Sequence, residues 1–250
     1  MSGGVIVAVV AAAVFAGALL QRVSGMGLGL ISAPILMVIF GPVEGILLVN
    51  ALALINAMAS TATQHRDVDW KAFGVIAPAL VLGVVPGSFV VRMLPSAPLL
   101  IVVGAFLLAA LGVVTLGKRY IPHITGWIPA GIAGVIGGFM NTVAGVAGPA
   151  ITVYAQAARW NQRAYAATLQ PLFFVAGAAS LSIKSAIGAG SVTAIPTMVW
   201  GVGVASLALG LVAGLKVAPR VSRDLGRAVA LGLAALGGLT AIVRGAIGLM

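Results

Sequence analysis

The chain has 250 residues, of which 61% are hydrophobic and only 7% are charged. Soluble domains carry about 25% charged residues, so 14 Lys and Arg with 4 Asp and Glu cannot cover the surface of a soluble protein of this length. The composition excludes a cytosolic globular domain, a disordered chain and an ordinary nucleic-acid-binding protein. It indicates an all-α polytopic integral membrane protein, because the apolar stretches are long and continuous rather than alternating.

The first apolar run has no basic residues before it and continues into further membrane sequence, so we expect no cleavable signal peptide. Charge-free stretches then predict ten apolar segments. About 20 residues span the hydrocarbon core, and the second and seventh segments cover only about half of it at 1.5 Å per residue. We therefore expect eight full spans plus two short or re-entrant half-helices. The segments are 4–21, 29–40, 44–62, 71–91, 97–116, 126–141, 149–158, 163–184, 193–215 and 226–247.

The basic residues stand almost entirely between these segments, so the net charge of +10 is an indicator of membrane orientation rather than of an acidic partner. If each segment switches sides, 11 Lys and Arg fall on one side and three, Arg92, Lys184 and Arg244, on the other. The positive-inside rule places the 11-charge side in the cytoplasm and both termini outside. Re-entrant hairpins in segments 1–2 and 6–7 would leave this orientation unchanged.

The second half of the chain resembles the first at a shift of 120 residues. We expect two transmembrane repeats, 1–117 and 118–250, that form one membrane domain. Each repeat has an odd number of segments, so the two must be inverted across the membrane, as in many secondary transporters. The matches at this shift pair Gly17 with Gly137, Gln21 with Asn141, Gly25 with Gly145, Asn50 with Gln170 and Ser60 with Ser180. With a seven-residue insertion, Gly83-x-x-x-Gly87 also matches Gly210-x-x-x-Gly214.

Two glycine-rich breaks interrupt the apolar sequence at corresponding places, one over 21–29 and one over 137–149. A helix that starts inside the membrane presents free N–H groups and the positive end of its dipole, and Pro149 suits a first helical turn. Two such helix starts facing each other would bind an anion. The alternative is ordinary glycine-mediated helix packing.

These breaks, with the repeated four-to-five-segment unit between them, resemble the sulfite exporter TauE/SafE family of membrane transporters. The resemblance covers nearly the whole chain and includes the second break from Gly137 to Tyr154. It implies a multi-pass protein of the inner (plasma) membrane that moves small anions: sulfite, organosulfonates or related sulfur oxyanions. Family members often carry a GxGGG-like run of small residues where this chain has Gln21-Arg22, so the substrate itself stays open.

The candidate substrate-binding residues lie at the breaks and at two matched amides inside segments 3 and 8. Arg22 either extends to the cytoplasmic interface or, in a re-entrant hairpin, lies deep enough to bind an oxyanion. The matched amides, Asn50 and Gln170, contact either substrate or a neighbouring helix. The complete predicted set is Gln21, Arg22, Ser24, Gly25, Gly27, Asn50, Asn141, Thr142, Gly145, Gly148, Pro149 and Gln170.

Every carboxylate is placed at a segment end or in a loop, which disfavours a proton relay and leaves Glu44 as the one plausible relay residue. Anion export needs no relay, since the interior-negative potential contributes about 2.3 kcal/mol per charge per 100 mV. We therefore expect an exporter. The alternatives are an anion channel, or an uptake carrier for carboxylates or other small anions, of the same architecture.

An intramembrane enzyme would need a nucleophile–base set or a metal cluster. The chain has no cysteine, no HExxH motif and two histidines in separate loops. We expect a protein without enzymatic activity, cofactor or metal. Its expected partners are a small anionic substrate and the lipid bilayer, without nucleic acid, and a homodimer is left open.

The predicted orientation can be tested by labelling single cysteines introduced into this cysteine-free chain. Residues 64–71, 117–123 and 216–227 should be cytoplasmic, because they hold most of the 11-charge set. A Lys71→Cys protein should react with a membrane-impermeant thiol reagent only after the cells are opened. Labelling of positions 63–71 in intact cells would contradict the orientation.

Overall fold

The computed structural model describes residues 2–25, 27–116 and 122–250, and that part of the chain folds into ten α-helices and two 3₁₀ turns, with no strand. The helices coincide with the ten predicted segments to within a few residues. Lys118 and Arg119, two charges of a predicted inner loop, lie outside the described residues. The helices are α1 Gly3–Ser24, α2 Leu28–Phe40, α3 Pro42–Gln64, α4 Trp70–Met93, α5 Ser96–Leu116, α6 Trp127–Ala144, α7 Gly148–Ala157, α8 Gln162–Ala186, α9 Thr197–Val217 and α10 Arg223–Ile247.

Seven of the described helices are long and apolar enough to cross a membrane: α1, α3, α4, α6, α8, α9 and α10. Helix α2 has 13 residues and α7 has 10, so both are as short as the sequence predicts. Helix α5 is the remaining expected span, and its apolar stretch Ser96–Gly112 is shorter than that of the seven. The protein is thus a multi-pass helical membrane protein, and the eighth span stays a prediction.

The helix ends follow local sequence. Asp69 caps α4, where its carboxylate accepts hydrogen bonds from the N–H groups of Lys71 and Ala72 at 3.1 and 3.0 Å. Asn161 caps α8, where its side chain accepts from the N–H of Ala164 at 2.8 Å. Such caps satisfy N–H groups that a helix cannot bond internally.

The contacts between helices are similar in the two halves of the chain. If each of α1–α5 is replaced by its counterpart among α6–α10, and the reverse, each principal helix pair becomes another observed pair or itself. Helix α1 packs on α9 and α2, and α6, its counterpart, packs on α4 and α7. Helix α3 packs on α8, and α5 packs on α10, so each of these pairs maps onto itself. This exchange of partners is the arrangement expected of two related five-helix units.

The two matched GxxxG motifs lie at corresponding interfaces. A Cβ atom on Gly83 of α4 would collide with the carbonyl oxygen of Val135 in α6. A Cβ atom on Gly210 of α9 would lie 2.6 Å from the carbonyl oxygen of Phe15 in α1. Glycine therefore brings the helix backbones into direct contact, as small residues do in membrane helix pairs.

Alanine at these contacts should destabilise the fold, whereas alanine elsewhere on the same helix should not. We expect Gly83→Ala to lower the free energy of unfolding by about 1–3 kcal/mol, the usual effect of overpacking. The control is Gly74→Ala, because a Cβ there has no neighbour within 4 Å and alanine favours helix by about 1 kcal/mol. Thermal unfolding in detergent gives the melting temperature of each variant. Equal melting temperatures for Gly83→Ala and Gly74→Ala would contradict the backbone contact at Gly83.

Candidate functional site

The first break is held by Gln21. Helix α1 ends at Gly25, whose left-handed φ of 82° suits glycine and whose N–H donates to the carbonyl of Gln21 at 2.8 Å. The side-chain Oε1 of Gln21 accepts a hydrogen bond from the N–H of Leu28 at 2.9 Å. One residue therefore closes the end of α1 and caps the start of α2.

The second break repeats this backbone geometry. Helix α6 ends at Gly145, with φ 72°, and its N–H donates to the carbonyl of Asn141 at 2.9 Å. Helix α7 starts at Gly148, with Pro149 in its first turn as predicted. The Nδ2 of Asn141 has no acceptor among the described residues, although the residue is only 6% exposed. Asn141 thus keeps a free donor.

The two breaks touch backbone to backbone. A Cβ atom on Gly29 would collide with the carbonyl oxygen of Gly145, and one on Gly27 would lie 2.8 Å from the carbonyl oxygen of Gly17. Both positions need glycine for close approach. A small cavity of about 40 Å³ lies between the breaks, enough for about three water molecules. Its lining includes Gln21, Gly27, Gly29, Asn141, Gly145, Gly148 and Pro149.

A larger, polar cavity of about 380 Å³ adjoins the small one, and Gln21 lines both. It lies between the end of α1, the second half of α3 and the first half of α8. Four further residues of the predicted set line it: Arg22, Ser24, Gly25 and Gln170. We call this polar cavity the vestibule; it lies beside the space between the breaks, with Gln21 in the lining of both.

The vestibule is also lined by a polar face of α3 that sequence reasoning missed. Asn56, Ser60, Thr63 and Gln64 follow one another at helical spacing within an apolar segment, and that spacing was the available signal. Asn56 is fully buried, and neither polar atom of its amide has a partner among the described residues. Such a group requires water or a ligand.

Among the described residues, three charged side chains line the vestibule: Arg22, Asp67 and Arg163. Arg22 lies in the last turn of α1, which is long enough to span the membrane, as the interfacial interpretation requires. Its aliphatic part packs on Gly214 of α9. At the mouth, Arg163 donates from Nε to the carboxylate of Asp67 at 2.9 Å. Exposed ion pairs of this kind contribute about 0–1 kcal/mol, so this pair can open readily.

Not all predicted residues face a cavity. Asn50 is buried and donates from Nδ2 to the hydroxyl of Ser180 at 3.0 Å, which joins α3 to α8. The hydroxyl of Thr142 donates to the carbonyl of Gly138 at 3.0 Å, within its own helix. Neither residue is among those that line the two cavities, and in this conformation both connect protein groups.

Lys184, which the sequence places at the outer end of segment 8, is buried inside the protein. Helix α8 continues to Ala186, and Lys184 is 0% exposed. Its Nζ donates to the carbonyl of Thr142 at 2.6 Å, in the last turn of α6. No carboxylate oxygen of the described residues lies within 4 Å of it. The ends of apolar runs predict loop charges, but here tertiary packing covers the ammonium group.

The described residues include no group of three or more His, Asp or Glu side chains placed to hold a metal ion. Glu44 lies in the first turn of α3, at a helix end as predicted. The polar side chains that line the two cavities are mainly amides and hydroxyls, together with the guanidinium groups of Arg22 and Arg163 and the carboxylate of Asp67. Such a set favours a ligand that accepts hydrogen bonds over one that is bound through a metal.

Comparison with known proteins identifies the family of this chain. Searches of curated proteins and of solved structures gave no match for this chain. The family model described as Sulfite exporter TauE/SafE matches residues 9–242, which include both breaks, both cavities and Lys184. The chain therefore belongs to the sulfite exporter TauE/SafE family of membrane transporters.

Proposed function

We propose that this transporter exports small sulfur oxyanions, such as sulfite or an organosulfonate, and that they pass between the two breaks. The observation that carries the proposal is the backbone contact of Gly29 with Gly145, beside a small cavity that also holds the free amide of Asn141. The vestibule would be the approach to this cavity, which it adjoins at Gln21.

The chemistry of the breaks suits an oxyanion. Helices α2 and α7 begin beside the small cavity, and a helix start presents unpaired N–H groups and the positive end of its dipole. The N–H of Leu28 is already bonded to Gln21, so the remaining N–H groups of these first turns would bind the anion. Asn141 adds a side-chain donor, and the glycines allow ligand oxygens to approach the backbone. Arg22 at the vestibule raises the local concentration of anions before they reach the breaks.

We further propose that the halves 1–117 and 118–250 are inverted repeats and that the vestibule faces the cytoplasm. The exchange of helix partners supports the inversion. The mouth of the vestibule lies by Asp67 and Arg163, in loops that the charge distribution assigns to the cytoplasm. An anion entering there is driven outward by the interior-negative potential, without a proton.

Flux into proteoliposomes tests the function. With sulfite, methanesulfonate, sulfate, acetate and chloride as a panel, we expect saturable flux of a sulfur oxyanion and competition among the sulfur compounds. Flux that rises linearly with concentration would indicate a channel instead. Transport of acetate alone would indicate a carboxylate carrier.

Arg22 should act through its charge. We expect Arg22→Gln to reduce flux about tenfold at low anion concentration. The flux of this variant should also no longer depend strongly on salt, because electrostatic steering depends on ionic strength. Arg22→Lys should retain most of the flux. Normal flux in both variants would show that Arg22 only extends to the membrane surface.

Gln21 and Asn141 should separate stability from transport. Gln21→Met leaves the buried N–H of Leu28 without its acceptor, which should lower the free energy of unfolding by about 1–3 kcal/mol. Asn141→Leu removes an unpartnered donor, so it should leave the melting temperature nearly unchanged and reduce flux at least tenfold. Full transport by Asn141→Leu would place the anion elsewhere.

A further inference from the structure

The buried residue Lys184 takes no part in the cavities described above, but the 120-residue shift gives it a counterpart. We call residues paired by this shift mates. The mate of Lys184 is Gln64, and the mate of Ser180 is Ser60. Gln64 and Ser60 both line the vestibule. Lys184 therefore occupies, in the second repeat, a position that faces a polar cavity in the first.

The mates of other vestibule residues surround Lys184. Thr142, the mate of Arg22, provides the carbonyl that accepts from Nζ of Lys184. Asn50, the mate of Gln170, is bonded to Ser180. These four residues are at most 1% exposed. The second-repeat counterpart of the vestibule is thus present, and it is closed by two hydrogen bonds between helices.

The vestibule lacks the equivalent bonds. The amide of Gln170 donates instead to the carbonyl of Ala166, in its own helix, at 3.3 Å. No hydrogen bond recorded among the described residues joins Gln170 to Ser60, or Gln64 to Arg22. Two related clusters therefore differ in state: one lines a cavity of about 380 Å³, and the other is shut.

We propose that Lys184, Asn50 and Asn141 form a second anion site on the extracellular side, closed in this structure, which binds the exported oxyanion when that side opens. This proposal rests on the proposed function. An ammonium group has three N–H donors, and Thr142 is its one recorded acceptor among the described residues. Asn141 has a free donor, and Asn50 gains one when its bond to Ser180 breaks.

Burial of a cation inside a membrane protein is unfavourable, and such residues mark transport pathways. Lys184 also caps the last turn of α6 through the carbonyl of Thr142. The alternative is that this cap is its whole role and that Lys184 is purely structural. The two roles differ in their dependence on charge and on opening. A structural cap need not be reached by solvent, whereas an anion site must be.

Flux measurements on charge variants test the first difference. We expect Lys184→Met to reduce maximal oxyanion flux at least tenfold, and Lys184→Arg to retain a third or more. The matched control is Lys216→Met, at an exposed lysine in the last turn of α9, which should transport normally. Wild-type flux in Lys184→Met vesicles would overturn the second site alone. Wild-type vesicles that pass no oxyanion would overturn the proposed function and this site with it.

Cysteine labelling tests whether the extracellular side opens, and its first step keeps Lys184 in place. Ala176 is the mate of Asn56 and is fully buried. In intact cells exporting methanesulfonate, we expect Ala176→Cys to react with an impermeant maleimide added outside. External methanesulfonate should slow this reaction several-fold, and the slowing should vanish in the Ala176→Cys, Lys184→Met double variant.

Thr63→Cys, in the vestibule, is the control and should react only in opened cells. Absence of external labelling at position 176 while export proceeds would overturn the proposal, whether or not Lys184→Met folds. So would slowing by methanesulfonate that persists in the double variant.

Discussion

The backbone contact between Gly29 and Gly145 is the constraint on which the rest of the structure depends. Two helices cannot be broken inside a membrane unless their unpaired backbone groups find partners or water. Here each break uses its own residues: a left-handed glycine turns back to bond Gln21 or Asn141, and Gln21 caps the following helix. A side chain at position 29 would separate the breaks, and the cavity between them would lose its walls.

The surrounding packing holds this contact in place. Helix α9 packs against α1, and α4 packs against α6. In both pairs the contact is made by glycines that leave no space for a Cβ atom. Close packing of this kind positions a helix end to within fractions of an ångström, because interiors of packed helices resist compression. The breaks are therefore supported by rigid helices, while the polar faces of α3 and α8 remain free to line water.

The sequence predicted the parts of this arrangement that depend on local composition. Hydropathy defines ten helices, and glycine with Pro149 defines the breaks. The sequence alone did not predict which polar residues contact one another. The vestibule face of α3 arises because α1, α3 and α8 converge, and Lys184 is buried because α6 ends against α8. Segment ends predict loops, yet the last turns of α8 pack against a neighbouring helix.

The two clusters also differ in chemistry, and this difference explains which one is open. The vestibule carries Arg22, Asn56 and Asp67, whose mates are Thr142, Ala176 and Ile187. Closing the vestibule would bury the charge of Arg22 and would remove the cavity that the buried, unpartnered amide of Asn56 lines, which is unfavourable in a membrane. Closing its counterpart buries mostly apolar atoms and a single lysine that already has an acceptor. The side that the charge distribution assigns to the cytoplasm is thus the side on which a water-filled cavity is favoured. An anion that binds there brings a negative charge, and this charge offsets the free-energy cost of exposing Lys184 when the other side opens.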